Sequence, residues 1–161
     1  IINATEFACK EINNLTIVLS NNEEAITDIL LEIGVKSDNI IILDNKDNSS
    51  LPSAIMDADA YIGLSEDNRI TEELLPSMAH DPIILLLTET SLGIEYEKVK
   101  KIRPDAIYAT CSAENFSQTN DTIAFPYIFR GALDTLATSI NHKMLLAAAK
   151  SIAQLAHRPT S

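Results

Sequence analysis

The sequence has 161 residues, of which 46% are hydrophobic and 22% are charged, a composition that is typical of one globular domain and excludes a disordered or fibrous chain. Twelve basic against 23 acidic residues give a formal net charge of −11, which disfavours a nucleic-acid binder or a protein held to anionic lipid by charge. No apolar run reaches the roughly 18–20 residues that cross a bilayer, and Cys9 and Cys111 are too few for a disulfide framework. We therefore expect a cytoplasmic protein without a nucleic-acid or membrane partner and, because it opens on Ile1 in apolar sequence, a fragment of a longer chain.

Short apolar runs alternate with segments of helical spacing along the chain. Strands are predicted at residues 15–19, 40–43, 60–64, 82–87 and 106–109. Helices are predicted at residues 1–11, 26–33, 50–56, 70–78 and 96–101, and over everything beyond Pro126. Gly34 ends the second helix, and Asn141 can cap the last one, whose apolar stripe runs from Met144 to Leu155.

The predicted strands are continuously apolar, which is typical of a parallel sheet covered on both faces. Right-handed crossovers then give the fold class: α/β, with a Rossmann-like, doubly wound, mainly parallel sheet, flanking helices and a C-terminal helical segment. The sequence shows no internal repeat and no interdomain linker, so residues 1–161 are expected to form a single domain.

Ligands of such a sheet bind beyond the carboxyl ends of its strands, where the sequence places loops at residues 20–24, 44–48, 65–68, 88–93 and 110–121. A dinucleotide site needs glycines after the first strand, so that the backbone can approach the pyrophosphate at a helix N-terminus. The first loop contains Asn21, Asn22, Glu23 and Glu24 and no glycine. Its glutamates suit the positive end of a helix dipole but would repel a diphosphate, so the loop is either an altered cofactor loop or the charged first turn of an ordinary helix.

Two other strand ends suit a nucleotide. Asp44 ends the second strand, where an acidic side chain can accept hydrogen bonds from a ribose diol and favour NAD over NADP; aspartate is equally ordinary there as a turn former. Gly63, Leu64 and Ser65 can offer backbone and hydroxyl contacts to a cofactor, or be only a strand end.

The remaining polar residues define no catalytic set. The three histidines have no partner at the spacing of a catalytic triad or a metal site. The basic cluster is interpreted as a solvated helix face offset by neighbouring glutamates; it consists of Lys98, Lys100, Lys101 and Arg103.

The decapeptide Phe125–Asp134 reads FPYIFRGALD and is followed by the segment Ala137–Asn141 and a helix that contains Met144. With upstream pieces in matching order, it resembles the C-terminal signature of bacterial malic enzymes, the malate dehydrogenases that decarboxylate oxaloacetate. Those pieces are Ile2–Ala4, Gly63–Ser65, Arg103–Ile107, Gln118 and Asn120. The resemblance covers essentially the whole chain and implies an NAD(P)-binding domain from an enzyme that converts L-malate to pyruvate with NAD or NADP and Mg²⁺ or Mn²⁺.

The resemblance also implies what lies elsewhere. In the family, the catalytic Tyr and Lys and the metal-binding carboxylates are on the preceding part of the polypeptide. This chain is then expected to contribute no catalytic residue and no metal ligand, to need an N-terminal catalytic domain as its partner, to be inactive alone and to form a homo-oligomer.

Several positions depart from the family pattern. The family's glycine-rich loop corresponds to residues 20–24, where every glycine is missing and the loop is shortened. The family's asparagine that contacts nicotinamide and substrate aligns with Glu89, and its Asn-Asn pair aligns with Asn120 and Asp121, so two carboxylates would face a dicarboxylate substrate. Asp44 keeps the acid of the family's Asp-Ser-Lys-Gly loop, but the glycine is lost. The cofactor-binding candidates are Asn21, Asn22, Asp44, Gly63, Leu64, Ser65, Glu89 and Asn120, with Asp121 as the substrate candidate.

These departures favour a malic-enzyme-type nucleotide domain whose cofactor binding is weakened or lost. The alternative is a non-catalytic Rossmann-like module retained for oligomer contacts or regulation. A receiver-like or flavodoxin-like domain fits the alternation of elements but not the decapeptide. The decapeptide also has an ordinary explanation, because Pro126 suits a first helical turn and Arg130 and Asp134 can pair along the helix.

Overall fold

The computed structural model describes residues 1–43, 49–65, 69–87, 94–111 and 124–156. The chain divides into two compact units, one formed by Ile1 with Asn3–Thr119 and the other by Ile2 with Asn120–Ser161. The described part of the first unit is α/β and that of the second is helical. The expectation that both belong to one domain stays a prediction.

The first unit is built on a five-stranded sheet with the strand order β2-β1-β3-β4-β5. Every neighbouring pair of strands is parallel, which confirms the predicted doubly wound α/β class. The strands are β1 Ile17–Leu19, β2 Ile40–Ile42, β3 Ala60–Gly63, β4 Ile83–Leu86 and β5 Ile107–Thr110. The helices are α1 Ile2–Phe7, α2 Glu24–Glu32, α3 Leu51–Ile55 and α4 Tyr96–Ile102, and the second unit adds α5 Phe125–Asp134 and α6 His142–Ala156.

The three central strands, β1, β3 and β4, are buried almost completely on both faces, which is why they read as unbroken apolar runs. The pairing aligns Val18, Tyr61, Ile84 and Tyr108 in one row across the sheet. This row packs against side chains of α3 and α4, namely Leu51, Ile55 and Val99. The adjacent row, which includes Ile17, Ala60 and Ile83, lies in a second core with Leu30 of α2.

The prediction of a helix at residues 70–78 is wrong. Within it the structure has only a 3₁₀ turn, Leu75–Ser77. Pro76 explains the difference, because proline lacks the backbone N–H that an α-helix over these residues would bond to the carbonyl four residues earlier. The first helix is also shorter than predicted and ends at Phe7, and Cys9 beyond it has a left-handed φ of 52°.

The interpretation of the whole basic cluster as a solvated face is also wrong, because Arg103 is only 13% exposed. Its guanidinium donates to the carbonyl oxygens of Leu75, Met78 and Ala79 at 2.9, 3.1 and 2.6 Å. It also donates to both oxygens of Asp105, at 3.0 Å from Nε and 2.8 Å from Nη2. Because a planar guanidinium can serve several acceptors at once, this residue ties the chain before β4 to the turn before β5.

The second unit contains α5 and α6, separated by residues 135–141, so the chain beyond Pro126 is not one continuous helix. Two sequence predictions are confirmed here. The side chain of Asn141 accepts a hydrogen bond from Met144 N–H at 3.1 Å and so caps α6, and Arg130 Nε lies 2.9 Å from Asp134 along α5. In the part of the chain that the structure describes, no helix is long and apolar enough to cross a membrane.

Candidate functional site

The direction of winding reverses between β1 and β3. From β1 the chain crosses to β2 on one side, then returns over β1 to β3 and continues outward through β4 and β5. The crevice outside the carboxyl ends of two such strands is where doubly wound sheets bind ligands. Here that crevice is bordered by the loop after β1, which begins at Ser20, and by the turn Gly63–Ser65 after β3.

Ser20 joins the two sides of this crevice. Its side chain is fully buried, and its Oγ accepts hydrogen bonds from the backbone N–H groups of Leu64 at 2.7 Å and Ser65 at 3.2 Å. It is also hydrogen-bonded to the hydroxyl of Tyr61, which bonds the backbone of Ile70 as well. Since a serine hydroxyl has one proton and two lone pairs, these three bonds use its full capacity.

Burial raises the pKa of Tyr61 to about 12, although its hydrogen bonds to Ser20 and Ile70 act in the opposite direction. Tyr61 therefore stays protonated at neutral pH and serves the network as a neutral hydroxyl. Sequence reasoning missed the roles of Ser20 and Tyr61. A hydroxyl placed directly after an apolar run was the available signal for Ser20, but its partners lie 44 and 45 residues further along the chain.

The absence of a side chain at Gly63 has a packing reason that does not involve a ligand. A Cβ added there would lie 2.9 Å from Cδ2 of Leu86 and 3.3 Å from a ring carbon of Tyr61, both closer than ordinary van der Waals contact. The nucleotide role predicted for Gly63, Leu64 and Ser65 stays a prediction. The N–H groups of Leu64 and Ser65 have Ser20 as their acceptor.

The loop before α2 brings amides and carboxylates to the same edge. The side-chain oxygen of Asn21 accepts a hydrogen bond from the N–H of the next residue, Asn22, at 2.7 Å. Helix α2 begins at Glu24, and Glu23 precedes it without a side-chain capping bond. Both glutamates are exposed, so two negative charges stand at the helix end that attracts anions.

The other predicted site residues lie outside the described residues. These are Asp44, Glu89, Asn120 and Asp121, and their proposed contacts stay predictions. At the carboxyl edge, the described residues provide hydroxyl, amide and backbone groups and two exposed carboxylates. Such groups can bind a ligand, and among them we find no paired acid and base for bond cleavage.

One group of possible metal ligands lies at the opposite edge of the sheet. Ligand atoms of His80, Asp81 and Asp105 are all within 4.8 Å of one another. However, Arg103 donates to both oxygens of Asp105, and His80 is 86% exposed and bonded to Asp81. The guanidinium holds the pKa of Asp105 well below its usual range. The positive charge next to Asp105 is therefore supplied by Arg103, and the group is an ion pair more than a metal site.

The second unit has an apolar groove between α5 and α6, with a cavity volume of about 520 Å³. The hydroxyls of two lining residues bond within their own helices: Thr135 donates to the Gly131 carbonyl at 2.9 Å and Ser151 to the Ala147 carbonyl at 2.8 Å. The groove is otherwise lined largely by side chains such as Ile128, Ala148 and Leu155, so it is a packing surface more than a polar ligand site.

The comparisons with known proteins agree on one group of enzymes. The chain is 35% identical to the probable NADP-dependent malic enzyme of Rickettsia prowazekii, over 99% of this chain and 24% of that protein. It is 33% identical to the NADP-dependent malic enzyme of Halomonas elongata, over 98% of this chain and 43% of that protein. The crystal structure of malic enzyme from Pyrococcus horikoshii superimposes with a TM-score of 0.85 at 28% identity, covering 98% of this chain and 45% of that one. No family model matches the sequence.

This chain is a homologue of the malic enzymes. The matched region is the C-terminal part of the NADP-dependent enzymes, as the decapeptide in α5 indicates. The chain spans about a quarter of the length of several relatives that it matches. The alignment to the Rickettsia enzyme runs over 184 residues, more than the 161 of this chain, so this malic-enzyme homologue is shorter than its relative within the aligned region.

Proposed function

We propose that this chain is the nucleotide-binding part of a malic-enzyme-like protein in which binding of NAD or NADP is weak or lost. In this proposal it acts in the cytoplasm with an N-terminal catalytic domain, which carries the catalytic Tyr and Lys and the ligands of Mg²⁺ or Mn²⁺. Oxidative decarboxylation of malate to pyruvate then requires both parts, and this chain alone is inactive.

The loop between β1 and α2 is the observation that carries the proposal. A dinucleotide diphosphate is normally held by backbone N–H groups at a glycine-rich turn and a helix N-terminus. Here the loop that follows β1 contains no glycine, and Glu23 and Glu24 place negative charge at the start of α2, where the diphosphate would lie. These described residues fit the fold of a nucleotide domain but fit a diphosphate poorly.

A second candidate function is a non-catalytic module kept for oligomer contacts or regulation. The exposed apolar side chains of the second unit favour it, because Tyr127 and Leu133 are 76% and 71% exposed in a segment that resembles the family signature. Surface of this kind is retained when a partner covers it.

Calorimetric titration of the 161-residue chain with NAD and with NADP tests the proposal. We expect dissociation constants in the millimolar range or no measurable heat for both cofactors. Micromolar binding of either one would refute the loss of affinity and support an ordinary cofactor domain.

A charge variant separates repulsion from steric blockage. If the carboxylates repel the cofactor, Glu23→Gln/Glu24→Gln should strengthen binding several-fold, with the largest gain at low ionic strength. The matched control, Glu32→Gln/Glu97→Gln, makes the same change in net charge at exposed positions of α2 and α4. An equal gain in both variants would show that only the overall charge matters.

A further inference from the structure

The groove between α5 and α6 has an open apolar interior that the proposed cofactor site does not use. Its cavity of about 520 Å³ is within the range of about 300–1,000 Å³ that is typical of small-molecule sites. Three of the large side chains that line it are exposed, namely Tyr127 at 76%, Ile152 at 40% and Leu155 at 60%. Exposed apolar side chains that line a concavity are typical of a binding site.

The interior of the groove presents mainly apolar atoms to an occupant. The hydroxyls of Thr135 and Ser151 donate to carbonyl oxygens of their own helices at 2.9 and 2.8 Å. A Cβ added at Gly131 would meet no atom within 4 Å, so the groove is open beside this residue. An occupant must therefore be apolar over the length that lies in the groove, because a buried polar group without a partner is unfavourable.

The charge of the second unit is opposite to that of the whole chain. With histidine neutral, residues 124–156 contain the basic residues Arg130, Lys143 and Lys150 and the single acidic residue Asp134, which leaves a net charge of +2 against −11 for the chain. Arg130 is paired with Asp134 at 2.9 Å. Among the described residues, neither lysine has an ion-pair partner, so both charges are available to a ligand.

Both lysines border the groove. Lys143 is four residues before the lining residue Ala147, and Lys150 is three residues after it, so the three are neighbours on the surface of α6. A lysine can lay its aliphatic stem along apolar surface while its ammonium group stays in water. The α6 side of the groove therefore combines an apolar interior with two positive charges at its edge.

We propose that this groove binds a long-chain carboxylate, with the alkyl chain between α5 and α6 and the carboxylate beside Lys143 and Lys150. A single alkyl chain is thin enough to enter the groove. A further helix, about 10–12 Å in diameter, would instead lie on top of two packed helices whose axes are about 8–10 Å apart. Positive charge beside the apolar interior favours an anionic amphiphile over a cationic one. The inference goes beyond the proposed function and does not depend on cofactor binding.

Calorimetric titration of the 161-residue chain with dodecanoate, below the concentration at which it forms micelles, tests the proposal. We expect saturable binding of one molecule per chain. Octanoate and decanoate should bind more weakly, by about two- to fourfold for each methylene removed, since burying a methylene completely is equivalent to about a fourfold change in affinity. Dodecyltrimethylammonium has the same alkyl length and a positive charge, and it should bind more weakly than dodecanoate although the chain as a whole is negative.

Substitutions that fill the groove test its location. Ala147→Leu and Gly131→Leu place a side chain in the groove from α6 and from α5, and each should weaken dodecanoate binding by about tenfold or more, because the contacts of two or three methylenes are lost. The matched control is Ala149→Leu, which adds the same side chain at an exposed alanine of α6 outside the lining and should leave the affinity unchanged. Circular dichroism shows which variants are folded, and either filling variant is sufficient for the test.

Charge variants test the position of the carboxylate. Lys143→Gln/Lys150→Gln should weaken dodecanoate binding by about threefold or more, with the largest effect at low ionic strength. Lys98→Gln/Lys101→Gln makes the same change in net charge at exposed positions of α4 and should have a clearly smaller effect.

Several results would overturn the proposal. These are the absence of saturable dodecanoate binding, equal effects of Ala147→Leu and Ala149→Leu, equal effects of the two lysine pairs, and binding of the cationic amphiphile as tight as that of dodecanoate. Sedimentation tests the other occupants. A parent chain that dimerises, with the dimer lost in Ala147→Leu, would assign the groove to a second copy. Co-sedimentation with phosphatidylglycerol vesicles that persists in Ala147→Leu would assign the positive charges to a lipid surface.

Discussion

The ion pair between Arg103 and Asp105 gives the most direct test of how the first unit is held together. Replacing Asp105 by asparagine removes the charge that accepts two hydrogen bonds from Arg103. The side chains are only 13% and 22% exposed, so water compensates little of the loss. Hydrogen bonds to a charged group contribute about 1.5–3 kcal/mol each, and because asparagine keeps one acceptor we expect about 2 kcal/mol of destabilisation at pH 7, measured by urea unfolding.

The contribution of this ion pair to stability should change with pH in a definite direction. Arg103 holds the pKa of Asp105 below its ordinary value, so the native state favours the ionised carboxylate. This contribution to stability is complete above about pH 5, where the unfolded carboxyl is also ionised. It is lost as the pH falls through the lowered pKa. The difference in unfolding free energy between the parent chain and Asp105→Asn should therefore narrow in acid.

An exposed ion pair in the same unit provides the control. Lys98 and Glu72 lie 3.3 Å apart with side chains 51% and 49% exposed, and such pairs contribute about 0–1 kcal/mol. Glu72→Gln should therefore cost clearly less than Asp105→Asn. Equal losses of unfolding free energy in Glu72→Gln and Asp105→Asn would refute this reasoning. So would a difference in unfolding free energy between the parent chain and Asp105→Asn that stays constant down to pH 2.

Three further predictions concern hydroxyls and glycines. Ser20→Ala should destabilise the chain by about 1–3 kcal/mol in urea unfolding, because the N–H groups of the half-buried Leu64 and Ser65 lose their buried acceptor. Ser53→Ala, whose exposed hydroxyl bonds its own helix turn, should cost less than about 0.5 kcal/mol. Gly63→Ala should destabilise by about 1–3 kcal/mol because its Cβ meets a buried leucine, while Gly131→Ala, with open space around its Cβ, should stabilise α5 by about 0.5–1 kcal/mol; thermal unfolding of both variants compares the signs. Burial raises the pKa of Tyr61 to about 12, so stability should fall as the pH rises from about 10, and the ultraviolet titration step near pH 12 should be absent from Tyr61→Phe.

The positions of the strands were predictable because a strand buried on both faces needs a continuous run of apolar residues, which is visible in the local sequence. Apolar runs such as Pro82–Leu87 are short, unbroken and bounded by polar residues, so they predict buried strands. The same reasoning failed at residues 70–78, where helical spacing was present but Pro76 limits the structure to a 3₁₀ turn. Apolar spacing reports which side chains are buried and does not by itself fix the backbone hydrogen bonds.

The sequence by itself determined the parallel α/β class and the relation to malic enzymes, because short contiguous segments carry both signals. The apolar runs predict the fold class, and the decapeptide of α5 indicates the relation. Only the tertiary structure decided what the single polar residues do. Ser20 joins β1 to the turn after β3, and Arg103 binds carbonyls 24 to 28 residues away in sequence. Such bonds form only when the sheet places the right strands side by side and brings donor and acceptor within hydrogen-bond distance. The residues adjacent in the chain do not set either condition.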